Sequence, residues 1–214
     1  MIKQLLLKLF KQLSFSLNSD RHSKVLYYHD LHNDELIPRT SMSTPLSVFM
    51  MHLQVFGEMG FEIVTKITKP NDQILITFDD GFRGIWDVKE ILLELNVKPK
   101  IFVITNFIDK PNYLQKEEIQ EMQNMGFSFG SHTRNHLELN KLNSRLLVNE
   151  LKFSKSNLEE ILSSNVDELA FPRGKFSHHV CKEAFEIGYQ KLYSTIPKPC
   201  FGEENGECYI GRYL

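Results

Sequence analysis

From Lys24 onward the chain alternates short apolar runs with stretches patterned at helical period, in the repeated order strand then helix. The apolar runs are "KVLYYH", "FEIVT", "QILITF", "KIFVIT", "FSFGSH" and "ELAFP". The helical stretches are "PLSVFMMHLQVFGEMG", "GIWDVKEILLELN", "KEEIQEMQNMG", "SRLLVNELKFSKSNLEEILSS" and "HHVCKEAFEIGYQ". That order confines the chain to an α/β layer or barrel with a parallel sheet. "IPKPCFGEENGE" reads as a Pro/Gly-punctuated loop, and "CYIGRYL" as a last strand. In β/α barrels reactive groups sit at the carboxyl ends of strands. His29, the Asp79-Asp80 pair, His132 and Pro172-Arg173 all fall at such ends and so share one rim.

The length of 214 residues suits one domain, expected over 23–214 after an N-terminal extension, 1–22. A net charge of -2, with no basic stripe, leaves no footprint for nucleic acid. Within "MIKQLLLKLFKQLSFSLNSD" the residues Leu5, Leu6, Leu9, Phe10 and Leu13 share one helical face opposite lysines. The run is too interrupted to span a membrane, and no A-x-A-like cleavage site follows. It reads either as a peripheral membrane contact or as a helix packed on the domain or a partner. Cys181, Cys200 and Cys208 are an odd number in a chain too long to need a disulfide scaffold; they read as reduced thiols, with Cys200 and Cys208 close enough in sequence to close a loop on export. The expected location is cytoplasmic.

"ILITFDDGFRG" ends a buried run on adjacent carboxylates, Asp79 and Asp80. Neighbouring carboxylates raise each other's pKa unless a cation or donor compensates. "GSHTRNH" places His132 and His136 four residues apart, so a helical turn there would face both imidazoles the same way. Two histidines plus a carboxylate make the open, three-ligand arrangement of catalytic Zn²⁺ sites. One aspartate can then bind a divalent metal while the other stays free as a base.

"TFDDG", "SHTRNH" about fifty residues on, "FPRG" and "EAFEIGY" together resemble the polysaccharide deacetylase (NodB-homology) family of metal-dependent carbohydrate esterases. "LYYHD", "PLSVFMMHLQVFGEMGFEIVT" and "ELKFSKSNLEEI" look like its poly-N-acetylglucosamine deacetylase branch, so the resemblance runs from Val25 to Leu214. It implies a distorted or incomplete (β/α) barrel that hydrolyses N-acetyl groups, or as the second choice O-acetyl groups, of a carbohydrate in cell-surface polysaccharide or glycolipid synthesis. It also implies Asp79 as catalytic base and Asp80, His132 and His136 as ligands of a divalent ion, most often Zn²⁺.

The family's late Leu-x-His acid is missing, since no histidine follows His179. His29, where the same branch carries a histidine, is the substitute expected as general acid or substrate-orienting group. Ala170 stands where the family's arginine precedes the proline motif, and Arg173 replaces its aromatic residue. Pro172, Arg173 and Arg212 are expected at the substrate, with Arg212 also placed to orient Asp79. Phe82 and Trp86 are candidates to line the sugar site, Trp86 reading more simply as helix core; His22, His32 and His52 have no assigned role. Two rivals remain. A non-catalytic sugar-binding protein on the same fold fits the missing late histidine. A 2-His-1-carboxylate Fe(II) site fits poorly, because here the two histidines are close in sequence and the aspartate is distant.

Overall fold

The computed structural model describes residues 20–198 and 208–214. The expected N-terminal amphipathic helix, its membrane contact and Cys200 lie outside the described residues. The barrel strands are β1 (Lys24–Tyr28), β4 (Glu62–Val64), β5 (Gln73–Phe78), β6 (Lys100–Val103), β7 (Ser128–Ser131), β8 (Glu168–Ala170), β9 (Lys191–Ser194) and β10 (Ile210–Gly211). They pair in the order β1-β5-β6-β7-β8-β9-β10, with β4 also on β5, and every pairing is parallel.

The chain end closes the circle. Tyr213 bridges Leu26 of β1, its N–H donating to Val25 O and its carbonyl accepting from Tyr27 N–H, each at 2.9 Å. The result is an irregular, nearly closed β/α barrel. Val25, Leu75, Phe102, Ala170 and Tyr193 fill its interior, and the larger core lies between the strands and the outer helices. β5 is buried on both faces, which is why "QILITF" reads as an unbroken apolar run rather than an alternating one.

The outer helices are α1 (Leu46–Glu58), α2 (Gly84–Asp87), α3 (Lys89–Glu94), α4 (Lys116–Asn124), α5 (Ser144–Leu162) and α6 (His178–Ile187). Side chains fix where they start. Asn143 accepts from Leu146 N–H and Ser177 from Val180 N–H, while Gln115 and Glu118 form a capping box ahead of α4.

The structure departs from the sequence reading in several places. "GIWDVKEILLELN" is two helices, because buried, β-branched Val88 leaves helical geometry between them. A small parallel sheet, β2 (Asp30–His32) with β3 (Ser43–Pro45), stands beside the barrel. Residues 20–22, assigned above to the extension, are fastened to the domain: Arg21 pairs with Asp72, and His22 bridges Asn71.

The reading of all three cysteines as reduced thiols is also corrected, because Cys181 of α6 is joined to Cys208 by a disulfide. Two neighbours in space, 27 residues apart in sequence, cannot be foreseen as a pair from spacing alone. The bond ties α6 to the segment that leads into β10. Thiol titration of the denatured, unreduced protein should find one reactive thiol per chain, Cys200. Reduction should lower the melting temperature, consistent with about 3 kcal/mol for a loop of this size. Three reactive thiols without reductant would contradict the bond.

Candidate metal centre

The barrel rim brings Asp79, Asp80, His132 and His136 together from two strand ends. After β5 the chain turns at once. Asp80 has φ 70° and Gly81 φ 76°, and a Cβ on Gly81 would lie 3.1 Å from Val103 Cγ1. Glycine suits that left-handed, crowded position. Asp80 holds a similar backbone at a cost, as residues at functional sites often do.

The turn has outside support. Leu114 N–H donates to Gly81 O at 3.0 Å, Phe82 bridges Tyr113, and Arg83 binds Glu118 on α4, Nε to Oε1 at 2.8 Å. The Phe82 and Tyr113 rings stack at 4.9 Å.

The segment 132–136 is not the helical turn expected from the spacing. Thr133 (φ 66°) and His136 (φ 60°) fold it into a tight irregular loop instead. Asn135 N–H donates to buried Glu150 of α5 at 2.8 Å, and His136 N–H to Thr133 Oγ1 at 3.0 Å. The imidazoles still converge, with ring centroids 4.9 Å apart.

His132 Nδ1 lies 2.8 Å from the Ala170 carbonyl oxygen. Nδ1 therefore carries the proton and Nε2 keeps a free lone pair. His132 Nε2 and His136 Nε2 stand 3.4 and 3.5 Å from Asp80 Oδ1. That oxygen is buried and, among the described residues, accepts no hydrogen bond.

The donor set fits a divalent cation. The candidate ligand atoms of Asp80, His132 and His136 all lie within 4.8 Å of one another. Burial, reinforced by the charge of Asp79, pushes Asp80 up to about 7, and burial pulls His132 down to about 4. A neutral imidazole and a carboxylate short of a counter-charge are what a metal ion requires and satisfies. His132 is 2% exposed and His136 26%, so the opening lies on the His136 side.

Asp79 is compensated differently. Arg212 donates from one terminal nitrogen to Oδ1 at 2.6 Å and from the other to Oδ2 at 2.7 Å, with Thr77 Oγ1 a further acceptor at 3.2 Å. Burial raises the carboxyl, but the Arg212 guanidinium outweighs it and holds Asp79 below the ordinary range. The guanidinium itself is fully buried, lying over the rings of Tyr27 and Phe102. Arg212, with no exposed atom, is placed to hold Asp79 rather than to touch a substrate, which corrects its expected place among substrate-binding residues.

Of the other expected residues, half-buried His29 feels the charges of Asp79 and Arg212, and burial lowers its pKa. Pro172 is buried, while Arg173 is exposed and pairs with Glu138 at 3.1 Å, close enough for its charge to act on His136. Phe82 is buried and stacks on Tyr113, while Lys89 Nζ lies 3.7 Å over the ring of half-buried Trp86. His52 meets Tyr28 OH at 3.0 Å, His32 meets Ser43 and His22 meets Asp20, and all three are structural.

Sequence reasoning missed Glu150, the Ala170 carbonyl and Tyr113. Tyr113 is half-exposed, and its phenol is raised by burial and by the charge of Asp80. Only Glu150 left a trace, as an acid on the apolar face of α5.

The fold is a parallel β/α barrel whose rim carries a candidate metal site of two histidines and one aspartate beside an arginine-held second aspartate. Residues 66–192 match the family model described as polysaccharide deacetylase, and the chain belongs to that family. YxkH of Bacillus subtilis (strain 168) is 28% identical over 184 residues, which cover 81% of this chain and 64% of YxkH. The peptidoglycan-N-acetylmuramic acid deacetylase PdaA of the same organism is 28% identical over 127 residues, covering 58% of this chain and 46% of PdaA. The crystal structure of BC0361, a polysaccharide deacetylase from Bacillus cereus, has a TM-score of 0.78 at 26% identity, covering 90% of this chain and 64% of that one. The chain spans less than two thirds of the curated relatives it matches.

The buried pair yields a stability prediction. Arg212→Met leaves Asp79 uncompensated, and urea denaturation at neutral pH should show a loss of about 3–5 kcal/mol. Because the folded pKa of Asp79 is depressed, the stability from the pair is present above the ordinary aspartate value of about 3.9 and lost as pH falls through the folded value. The gap between variant and wild type should therefore narrow in acid. A gap unchanged between neutral and acid pH would contradict the assignment.

Proposed function

We propose that this protein is a metal-dependent hydrolase that removes N-acetyl groups from a carbohydrate, with Asp79 as base and Asp80, His132 and His136 as the ligands of a divalent ion, Zn²⁺ by preference. The observation that carries this reading is the unequal treatment of two adjacent carboxylates: Asp79 is held by Arg212, and Asp80 Oδ1 is left facing two imidazole nitrogens. An amide substrate rather than an ester is favoured by the likeness to PdaA, whose name describes an N-acetyl sugar deacetylase.

The bound ion would supply Lewis-acid polarisation of the acetamide carbonyl and acidify water beside it. The protein's own residues do the rest. Asp79, kept ionised by Arg212, accepts a proton from the water that attacks the carbonyl carbon. A backbone N–H at the rim donates to the oxygen as it gains charge. The C–N bond then breaks as the sugar nitrogen receives a proton, giving acetate and a free amine. In this reading His29 donates that proton: it takes up the proton that Asp79 accepted from water and passes it to the sugar nitrogen, so both side chains end as they began. Tyr113 and Arg173 offer a ring and a cation at the rim to the rest of the sugar.

The glycan is proposed to be a precursor or polymer of the cell surface, acted on by a cytoplasmic enzyme held at a membrane through residues 1–19. The Cys181–Cys208 bond weighs against the cytoplasmic part of this proposal, because disulfides persist mainly outside reducing compartments.

Acetate release from N-acetylated sugars, including lipid-linked and nucleotide-linked ones, tests the activity. Metal-loaded wild type should release acetate, and chelation should abolish release. Asp79→Asn should lower kcat by about 10²–10⁴-fold while the protein still binds metal. Metal and glycan binding with no acetate release from any substrate would favour the non-catalytic sugar-binding reading.

A further inference from the structure

Asp30 is the anomaly that the metal centre does not absorb. It is 0% exposed, and neither carboxylate oxygen accepts a hydrogen bond of normal geometry among the described residues. A buried polar group left in that state costs more than an apolar side chain of similar size. Its position gives the cost a purpose. β1 belongs to the barrel and β2 to the small outer sheet, so the chain leaves the barrel between Tyr28 and Asp30, and His29 sits at the departure. Among the described residues the His29 imidazole has no side-chain hydrogen bond, and its ring contact is an edge-on approach to Tyr27 at 5.9 Å. The backbone on either side therefore bears directly on where the imidazole stands.

On the β1 side the barrel ladder fixes that backbone. On the other side the contact is with Gly84, the first residue of α2 and four residues beyond Asp80. A Cβ on Gly84 would stand 2.0 Å from Leu31 O and 2.2 Å from Asp30 Oδ1, so the β2 chain lies flush on the helix that follows the Asp79-Asp80 turn. The donors that act on the Asp30 carboxylate come from three segments: Leu31 N–H of β2, the Ser43 hydroxyl of β3 and Gly84 N–H of α2. Each falls short of full hydrogen-bond geometry, and the charge of Arg39 adds to them.

We propose that Asp30 is a positioning residue, whose buried carboxylate clamps the strand end bearing His29 onto Gly84 and so sets the imidazole against the Asp79-Asp80 turn. The inference rests on the reading of His29 as proton donor. Its reach is limited to orientation, since Asp30 has no exposed atom with which to touch substrate. Proton donation is steep in distance, so a small displacement of the imidazole should act on kcat and spare KM.

The test is a double-variant cycle in the full chain. Asp30→Asn keeps the side-chain shape and should lower kcat by about 10-fold, with KM and bound metal within about twofold of wild type. Placed on His29→Ala, the same change should lower kcat by less than about twofold, because no imidazole is left to misplace. Ser43→Ala, which removes one donor, should show a smaller loss of the same kind and stands in if Asp30→Asn does not fold. A full loss that persists in the His29→Ala background would overturn the proposal. So would an Asp30→Asn enzyme as fast as wild type.

A readout independent of activity separates this proposal from the functional reading. The His29 ring-proton resonance, assigned by its loss in His29→Ala, should shift in Asp30→Asn. If wild type releases no acetate but that resonance shifts, the clamp stands and the deacetylase reading fails. An unmoved resonance sinks the clamp whatever the enzyme does.

Discussion

Asp79 and Arg212 share two hydrogen bonds across 133 residues of sequence, and both ends of the pair are buried. Few contacts in the molecule ask more of the fold. A buried guanidinium is tolerable only when its charge and donors are met. Here a bidentate carboxylate, the Thr77 hydroxyl and the faces of Tyr27 and Phe102 meet them, with only Nε lacking a partner among the described residues. To bring Arg212 there, the last residues must run as a strand, pair with β9 and return to β1 through Tyr213. The ion pair and the closing of the barrel are thus one requirement. The Cys181–Cys208 bond acts on the same segment, anchoring it to α6 just before it enters the sheet.

That pair also resolves the electrostatic difficulty posed by two adjacent aspartates. One carboxylate is neutralised by a fixed protein cation and stays ionised. The other, turned away by the left-handed backbone at Asp80, finds only imidazole nitrogens. The His132 ring cannot rotate to relieve it, because the Ala170 carbonyl holds Nδ1. The local strain of the turn and of the 132–136 loop is borne by contacts outside the centre: Arg83 on Glu118, Asn135 on Glu150 and Leu114 on Gly81. Preorganisation of this kind lets a site hold an unsatisfied acid without collapsing around it.

How much of this the sequence disclosed depended on the range of the signal. The strands at "QILITF" and "KIFVIT" and the long α5 were legible because apolar runs and helical periodicity are local properties. β9 at "KLYS" was not recognised, since its Lys and Ser flank only two apolar residues. β2 and β3 are three residues each, too short for any period to show. The four residues of the centre were named from motifs, but the reason offered for the histidine pair was helical spacing, and the chain uses two positive-φ residues instead. Spacing conveys that two side chains can meet without saying by which backbone. Arg212 was linked to Asp79 in sequence, yet its burial, which takes it out of reach of substrate, depends on strand closure and has no local sign. The Cys181–Cys208 pairing was hidden for the same reason.

The buried acids separate the working end of the barrel from the structural one. Glu168 opens β8 at the opposite mouth, where Lys100 and Lys191 open β6 and β9. It is saturated by Lys100 at 3.2 Å, Lys191 at 3.1 Å and the Tyr193 hydroxyl at 2.7 Å. Glu118 and Glu150 are likewise met by arginine or amide donors. Asp79 has Arg212. Among the buried acids of the described residues only Asp30 and Asp80 keep oxygens without a partner; Asp80 follows the end of β5, and Asp30 opens β2 two residues after β1 ends. The fold satisfies its acid at one mouth and leaves Asp80 wanting at the other. Asp80 faces the cleft, where a metal ion can meet its charge. Asp30 is fully buried, and the donors nearest its carboxylate belong to the chain segments around it.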